Sequence, residues 1–140
     1  MPSIAVAIKL AKALGVNVEQ LIAEEDPEGG IKVTRAADRT SLGDDARSAV
    51  QGIAAGVANK RMLPFVLQPP REFIASAFKE HEGEELLFVH QGRIEVAFPT
   101  ETITLEAGDS VYFNALVPHK VRSTGDTQAE VLVVVSHDHG

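Results

Sequence analysis

From Met62 to the C-terminus the sequence is a series of short apolar stretches separated by turn signals, and this feature limits the fold more than any other. Apolar and polar residues alternate within most stretches with the period of two that is typical of strands. Turn-forming groups such as Pro69-Pro70, Gly92 and Gly108-Asp109 divide them at nearly even spacing. We predict strands at about 62–68, 73–79, 85–91, 93–98, 101–105, 110–114, 118–123 and 129–135. Since no helical pattern interrupts them, the sequence predicts an antiparallel sandwich or small barrel.

The first quarter of the chain follows a different period. Helical spacing predicts a first helix that begins after Ser3 and ends near Gly15, with an apolar face of Ile4, Ile8, Ala11 and Leu14. A second short helix is predicted over Val18 to Ala23, followed by a polar linker. Ile31 to Val33 is a candidate first strand. The segment from Arg35 to Ala58 has no clean period, and either a helix around 44–50 or an irregular strand pair fits it.

Composition excludes several classes of protein. The chain has no cysteine, so disulfides and thiolate metal sites are excluded and a reducing compartment is favoured. The net charge of −7 argues against autonomous binding to a nucleic-acid backbone. The apolar run at Val131 to Val135 is too short to span a bilayer. We therefore expect a cytoplasmic protein without a membrane partner.

Two histidines and a carboxylate recur at a spacing that would line one barrel. Residues two apart on a strand share a face, so Lys79 and His81 project together, and a turn over 82–84 would return Glu85 beside His81. His119 follows Pro118 at the start of a predicted strand. If the barrel closes, His81, Glu85 and His119 converge. Two imidazoles and one carboxylate suit Fe(II), and Mn, Ni or Zn would also accept them.

These residues carry a resemblance to the cupins, the small double-stranded β-helix family. His81, three residues, Glu85, six residues and Gly92 resemble the first cupin motif from its second histidine onward. Gly108 and, eleven residues later, His119 after Pro118 resemble much of the second motif. The resemblance covers Met62 to Val135. It implies a mainly β fold, a cupin-type antiparallel jelly-roll barrel, here preceded by short N-terminal helices.

The chain departs from the cupin motifs at four positions. Lys79 stands where the first histidine is expected, and an ammonium there would repel a divalent cation. The usual proline and glycine of the second motif fall near Asn114 and Leu116, and its closing asparagine falls near Ser123. We therefore keep two arrangements open. Either one divalent metal is held by His81, Glu85 and His119, or no metal is bound and Lys79 pairs with Glu85.

The predicted strand around Leu86 to Val89 is apolar on both of its faces. Such a strand must be covered on both sides. A second sheet would supply one cover and a twin subunit the other, and cupins commonly dimerise. We therefore predict a homodimer.

The N-terminal residues carry a second resemblance. Pro2 to Val16, followed by Val18 to Ile22, is similar to the last helices of phage-repressor-like (XRE-type) helix-turn-helix domains. The resemblance implies three parts: residues 1–23 as a remnant of that domain, residues 24–35 as a linker and residues 36–140 as the barrel domain. The recognition helix has no counterpart in this sequence, so DNA would be bound only through a missing N-terminal domain.

The resemblances together imply the sensor domain of a transcriptional regulator that binds a small-molecule effector in its barrel. Lys79, His81, Glu85 and His119 would contact the ligand, and no residue is assigned a catalytic role. The alternative is a metal-dependent cupin enzyme, a dioxygenase or an isomerase, acting on a small polar substrate. Lys79 disfavours the enzyme.

Overall fold

A computed structural model describes residues 30–41, 49–54, 56–57, 60–73 and 83–136 of the chain. Both predicted N-terminal helices and nearly all of the strand predicted at 73–79 lie outside these residues. The described strands, in chain order, are β1 Thr40–Ser41, β2 Ala49–Gly52, β3 Met62–Gln68, β4 Glu84–Gln91, β5 Arg93–Ala97, β6 Thr102–Glu106, β7 Ser110–Asn114, β8 Lys120–Thr124 and β9 Glu130–Ser136. A 3-10 turn at Ala36–Asp38 precedes them.

The described strands form two antiparallel sheets. The larger has the order β1-β2-β3-β9-β4-β7, and the smaller has the order β6-β5-β8. Sequence neighbours such as β4 and β5 lie in different sheets, while β9 returns to lie between β3 and β4. This is the predicted jelly-roll arrangement, and it brings side chains from distant segments into one interior.

The core lies between the two sheets and is aliphatic. Alternate residues of each strand point into it, as in β9, where Val131, Val133 and Val135 are buried and their neighbours are partly exposed. Side chains from both sheets meet there, and the buried cluster consists of Val50, Leu63, Phe65, Leu87, Val89, Ile94, Val96, Leu105, Ala129, Val131, Val133 and Val135. The alternation seen in the sequence therefore reports the inward and outward faces correctly.

Turns at one end of the barrel pack closely. Gly92 is the single residue between β4 and β5 and has φ of +80°, and a Cβ built there would lie 2.8 Å from the Cα of Ala129. Only glycine satisfies both conditions. In the turn between β6 and β7, the Glu106 N–H donates to Oδ2 of Asp109 at 2.9 Å.

Two predictions about the region before Met62 need correction. Ile31 to Val33 is not a strand, and Ile31 and Val33 are 73% and 60% exposed, so no element among the described residues covers them. The helical alternative near 44–50 fails at Ala49 and Val50, which belong to β2 and pair with Gln68 and Leu67. Residues 42–48 lie outside the described residues.

The outer face of the larger sheet carries two apolar rows. The first row crosses β3, β9, β4 and β7 and consists of Pro64, Val134, Leu86 and Tyr112. The second row crosses β3, β9 and β4 and consists of Val66, Leu132 and Phe88. Tyr112 is 62% exposed and Phe88 is 37% exposed. The two-sided apolar character predicted for β4 is therefore present, and its outer side faces away from the core. Among the residues that the structure describes, no helix is long and apolar enough to cross a membrane.

Candidate functional site

Glu85 is the one carboxylate on the inner face of β4. It stands in register with Phe113 of β7 on one side and Val135 of β9 on the other. Its relative exposure is 6%, so the surrounding strands exclude most of the solvent from it. A carboxylate in such surroundings requires a positive or hydrogen-bonding neighbour, because burial of a charge without one is costly.

His119 supplies a neighbour from the other side of the barrel. It follows Pro118, lies just before β8 and is 8% exposed. Its Nδ1 is 2.8 Å from the carbonyl oxygen of Val117. Because a carbonyl can only accept, Nδ1 carries the hydrogen and donates it. The other ring nitrogen, Nε2, is therefore the atom presented to the barrel interior.

The two side chains meet at 3.3 Å, measured from Nε2 of His119 to Oε1 of Glu85. In a neutral ring with hydrogen on Nδ1, Nε2 has a lone pair, and an ionised carboxylate oxygen also has only lone pairs. Two such atoms repel unless something positive lies between or beside them. A proton satisfies this condition, and so does a metal cation.

A divalent metal fits this pair. Bonds of about 2.0–2.2 Å at angles between tetrahedral and octahedral values separate a nitrogen and an oxygen ligand by roughly 3.0–3.4 Å. The observed 3.3 Å lies in that interval. Imidazole and carboxylate are both ordinary ligands of Fe, Mn, Ni and Zn. Metal-binding histidines usually donate a hydrogen bond from the ring nitrogen that does not bind the metal, and Nδ1 of His119 makes such a bond.

Two aromatic side chains that the sequence did not predict at the site form a wall beside His119. The Phe113 ring packs edge-to-face on His119 with centroids 4.7 Å apart, and Phe98 packs on Phe113 at 5.1 Å. The alternation in β7 indicates that Phe113 points inward. Nothing local in the sequence, however, predicts its contact with the imidazole.

Of the four residues expected at the site, the structure brings two together. Glu85 and His119 are in contact, while Lys79 and His81 lie outside the described residues. Within the described ranges, no group of three or more His, Cys, Asp or Glu side chains is placed to hold a metal. Three protein ligands would therefore require His81 as well, and that assignment stays a prediction.

Ser123, at the position of the usual closing asparagine, has a different role. Its hydroxyl donates to the carbonyl of Pro69 at 2.7 Å and accepts from Nε2 of Gln128 at 2.9 Å and from the Ala129 N–H at 3.3 Å. Ser123 is 1% exposed, and its own N–H donates to Pro70. These bonds fasten the turn after β3 to β8. Ser123 is a structural residue.

Comparison with known proteins agrees with this architecture. The sequence profile of the cupin domain matches residues 65–135, just over half of the 140-residue chain. The chain belongs to the cupin family. A search of curated protein sequences found no significant match to this cupin.

Solved structures similar to this cupin include an epoxidase and a putative ethanolamine utilization protein. Hydroxypropylphosphonic acid epoxidase from S. wedmorenis is 20% identical with a TM-score of 0.63, over 81% of this chain and 63% of the epoxidase. The Fe(II) form of the epoxidase matches this chain with a TM-score of 0.64. The putative ethanolamine utilization protein Q of Salmonella typhimurium LT2 is 17% identical with a TM-score of 0.60, over 80% of this chain and 90% of that protein. These likenesses show the fold, and this cupin spans less than two thirds of the epoxidase.

Proposed function

We propose that this cupin binds a small molecule inside its barrel at a divalent metal held by Glu85, His119 and His81. The observation that carries the proposal is the 3.3 Å approach of Nε2 of His119 to Oε1 of Glu85. Both groups are buried, and the Nδ1 hydrogen is already used by Val117. A cation at this position would compensate both lone-pair groups at once.

The surrounding residues would orient the ligand. When bound, a divalent ion supplies a Lewis acid for an oxygen or nitrogen of the ligand. Glu85 lowers the charge of such a site, the Val117 carbonyl holds the imidazole plane, and Phe113 and Phe98 exclude water from one side of it. A small polar molecule with an apolar part fits these walls.

The metal proposal is tested by calorimetric titration of Zn²⁺, Mn²⁺, Ni²⁺ and, without oxygen, Fe²⁺ into the chelator-stripped chain. We expect about one ion per chain. Glu85→Gln should weaken binding at least about 100-fold, beyond what loss of an outer partner of a ligand costs. Glu95→Gln is the matched control, because Glu95 lies on β5 and pairs with Arg122 instead, with Nε of Arg122 2.8 Å from its Oε1. No binding of any of these ions to the unmodified chain would contradict the proposal.

The arrangement without metal uses Lys79 as the cation. Lys79 occupies the position of the first cupin histidine, and its ammonium would pair with Glu85. In that arrangement the unmodified chain binds no ion, whereas Lys79→His creates a full ligand set and gains metal affinity. If Lys79→His gains no metal affinity, the ammonium of Lys79 is not what prevents the unmodified chain from binding an ion, and this arrangement is contradicted.

We propose that ligand binding in this barrel serves transcriptional regulation. The support is the resemblance of Pro2 to Ile22 to the last helices of XRE-type domains, placed directly before a cupin domain. The ligand would act by binding one geometry of the barrel and linker more tightly than another, which alters DNA affinity in a regulator that has both parts. The intact mass of the protein isolated from its native cells tests this. We expect a mass that exceeds 15.0 kDa by the mass of several dozen residues. A native chain that begins at Met1 would count against the regulatory role.

We further propose that the apolar outer face of the larger sheet binds a second copy of the chain. The exposed Tyr112 and Phe88 lie on this face, and its rim carries both signs of charge, since Nη1 of Arg39 lies 3.6 Å from Oε1 of Glu130. A surface with both signs can pair with itself around a twofold axis. Sedimentation at tens of micromolar should give a dimer, and Phe88→Glu should give a monomer. Thr102→Glu, which adds the same charge on exposed β6, should leave the dimer intact.

The second candidate function is a metal-dependent enzyme. A buried carboxylate and imidazole in contact are both ordinary metal ligands, and a metal held by them could polarise a bound substrate, which favours this reading. It requires turnover of a small polar substrate that is lost in His119→Ala. Metal binding without turnover across oxidisable and isomerisable substrates would leave the sensor as the better description.

A further inference from the structure

We propose that Asn114 is a positioning residue that holds His119 in the tautomer with hydrogen on Nδ1, so that Nε2 keeps its lone pair toward Glu85. Asn114 ends β7 and is exposed. It acts through the turn that connects β7 to His119. The proposal concerns the same site as the proposed function, but the state of the His119 ring can be measured whether or not a metal binds.

Two hydrogen bonds that Asn114 accepts close that turn. Its side-chain Oδ1 accepts from the Leu116 N–H at 2.9 Å, and its backbone carbonyl accepts from the Val117 N–H at 2.9 Å. The first bond is an Asx turn nested within the second, a four-residue β-turn. Ala115, inside the turn, is buried and donates its N–H to the carbonyl of Gly83, which fastens the loop to the segment before Glu85. The position of Val117 is therefore determined from both sides.

The Val117 carbonyl transmits this geometry to the ring. It accepts the Nδ1 hydrogen of His119 at 2.8 Å, and Pro118 restricts the backbone between the two residues. The partner of one ring nitrogen determines the tautomer, and so decides whether Nε2 has a lone pair to offer. The usual proline of the second cupin motif falls near Asn114 in this chain, so the turn is held here by an amide side chain.

The test measures the His119 tautomer by nitrogen-15 NMR of the ring at alkaline pH, where imidazoles are neutral. The His119 signals are assigned by their absence from His119→Gln. We expect hydrogen on Nδ1 in the unmodified chain and a mixture of tautomers in Asn114→Ala. Asn114→Gln moves the amide one methylene away and should behave like the alanine variant, which provides a second variant if the first does not fold. Asn114→Asp keeps the acceptor and should restore the original tautomer.

Asp109 provides a matched control at the other end of the same strand. Its carboxylate also accepts a backbone N–H in a turn, that of Glu106, and it too is exposed. Asp109→Ala should leave the His119 tautomer unchanged. The proposal is overturned if Asp109→Ala shifts the tautomer as much as Asn114→Ala, if neither Asn114→Ala nor Asn114→Gln shifts it, or if Asn114→Asp fails to restore it.

A metal titration gives the second readout. Asn114→Ala should weaken metal binding about tenfold, the low end of the cost of losing an outer partner of a ligand. A shifted tautomer in a chain that binds no metal would support the positioning role and reject the metal. Metal binding of equal strength in Asn114→Ala and the unmodified chain would overturn the positioning role and leave the metal site standing.

Discussion

Two groups of buried polar side chains in this cupin differ in the kind of atoms that face each other. At Ser123, each polar atom meets a donor or acceptor of opposite kind, all of them neutral: Pro69, Gln128 and Ala129. At Glu85 and His119, a carboxylate oxygen meets a ring nitrogen whose hydrogen is on the far side. The first group consists of neutral groups whose donors and acceptors match. Between the two facing atoms of the second group a proton or a cation is required, which is why we propose a function for that pair.

Burial alone therefore does not distinguish a functional polar group from a structural one. Ser123 is more deeply buried than Glu85, at 1% against 6% exposure, yet its bonds serve to hold a turn. What separates the two groups is the match of donors to acceptors. Substitutions near Ser123 should therefore change stability without changing binding, and substitutions at the Glu85–His119 pair should change binding.

The largest effect expected at the structural group is that of Gly92→Ala. The new methyl would approach the Cα of Ala129, next to Ser123, and the backbone has φ of +80°. Together these should cost about 3 kcal/mol of unfolding free energy in chemical denaturation. Gly108→Ala is the control, because Gly108 also has positive φ but no atom within 4 Å of an added Cβ. An equal loss in both variants would show that backbone strain, and not the contact with Ala129, sets the cost.

A bound metal should stabilise the chain only through Glu85 and His119. At a free Zn²⁺ concentration of 100 times its dissociation constant, the unfolding free energy should rise by about 2.7 kcal/mol over that in chelator. Ser123→Ala should keep this increment in full. His119→Gln should lose nearly all of it at the same concentration, and an unchanged increment there would place the ion elsewhere.

Ser123→Ala should lower the unfolding free energy by about 2 kcal/mol, since it leaves buried groups without their partner. The Ala129 N–H loses its acceptor, whereas Nε2 of Gln128 keeps the carbonyls of Pro69 and Ala129. Denaturant titration measures the loss. Ser123→Thr, which keeps the hydroxyl, tests whether the bond or the added volume matters. A stability unchanged by Ser123→Ala would mean that these bonds contribute nothing net.

The smallest effect is expected at an exposed acidic pair on the outer face. The hydrogen bond from Tyr112 to Glu84 raises the pKa of the phenol above its ordinary value. Because the folded pKa is raised, the stability that this bond contributes is present below pH ~10 and is lost as the pH rises through the folded pKa. Tyr112 is the sole tyrosine, so near-ultraviolet absorbance titrates it directly. Glu84→Gln should lower this pKa, and an unchanged titration curve would contradict the bond.

Local alternation predicted most strands because it reports a property that each strand carries by itself. The predicted 62–68 and 110–114 coincide with β3 and β7. The prediction at 118–123 begins two residues early, because Pro118 has no N–H to donate and the His119 ring bonds to Val117. β1 and β2 were not predicted clearly, since their short and small-residue sequences depend on pairing with a neighbouring strand, β1 with β2 and β2 with β3.

The site was predicted in part and for a similar reason. Spacing and the cupin resemblance placed Glu85 and His119 in one barrel, and the two side chains do meet. Neither the aromatic wall of Phe113 and Phe98 nor the turn set by Asn114 was predicted, because those contacts depend on side-chain directions in different elements. Lys79 and His81 stay predictions.

The sequence alone determined most of the strands from Met62 onward, which of their side chains point inward, and that a carboxylate and an imidazole would be among them. These follow from the period of two and from the turn residues, which act over a few residues of chain. Only the tertiary structure decided that Nε2 of His119 stops 3.3 Å from Glu85, and that Ser123 is fully paired. Periodicity specifies the face on which a side chain lies, but the packing of two sheets determines which atom it meets there.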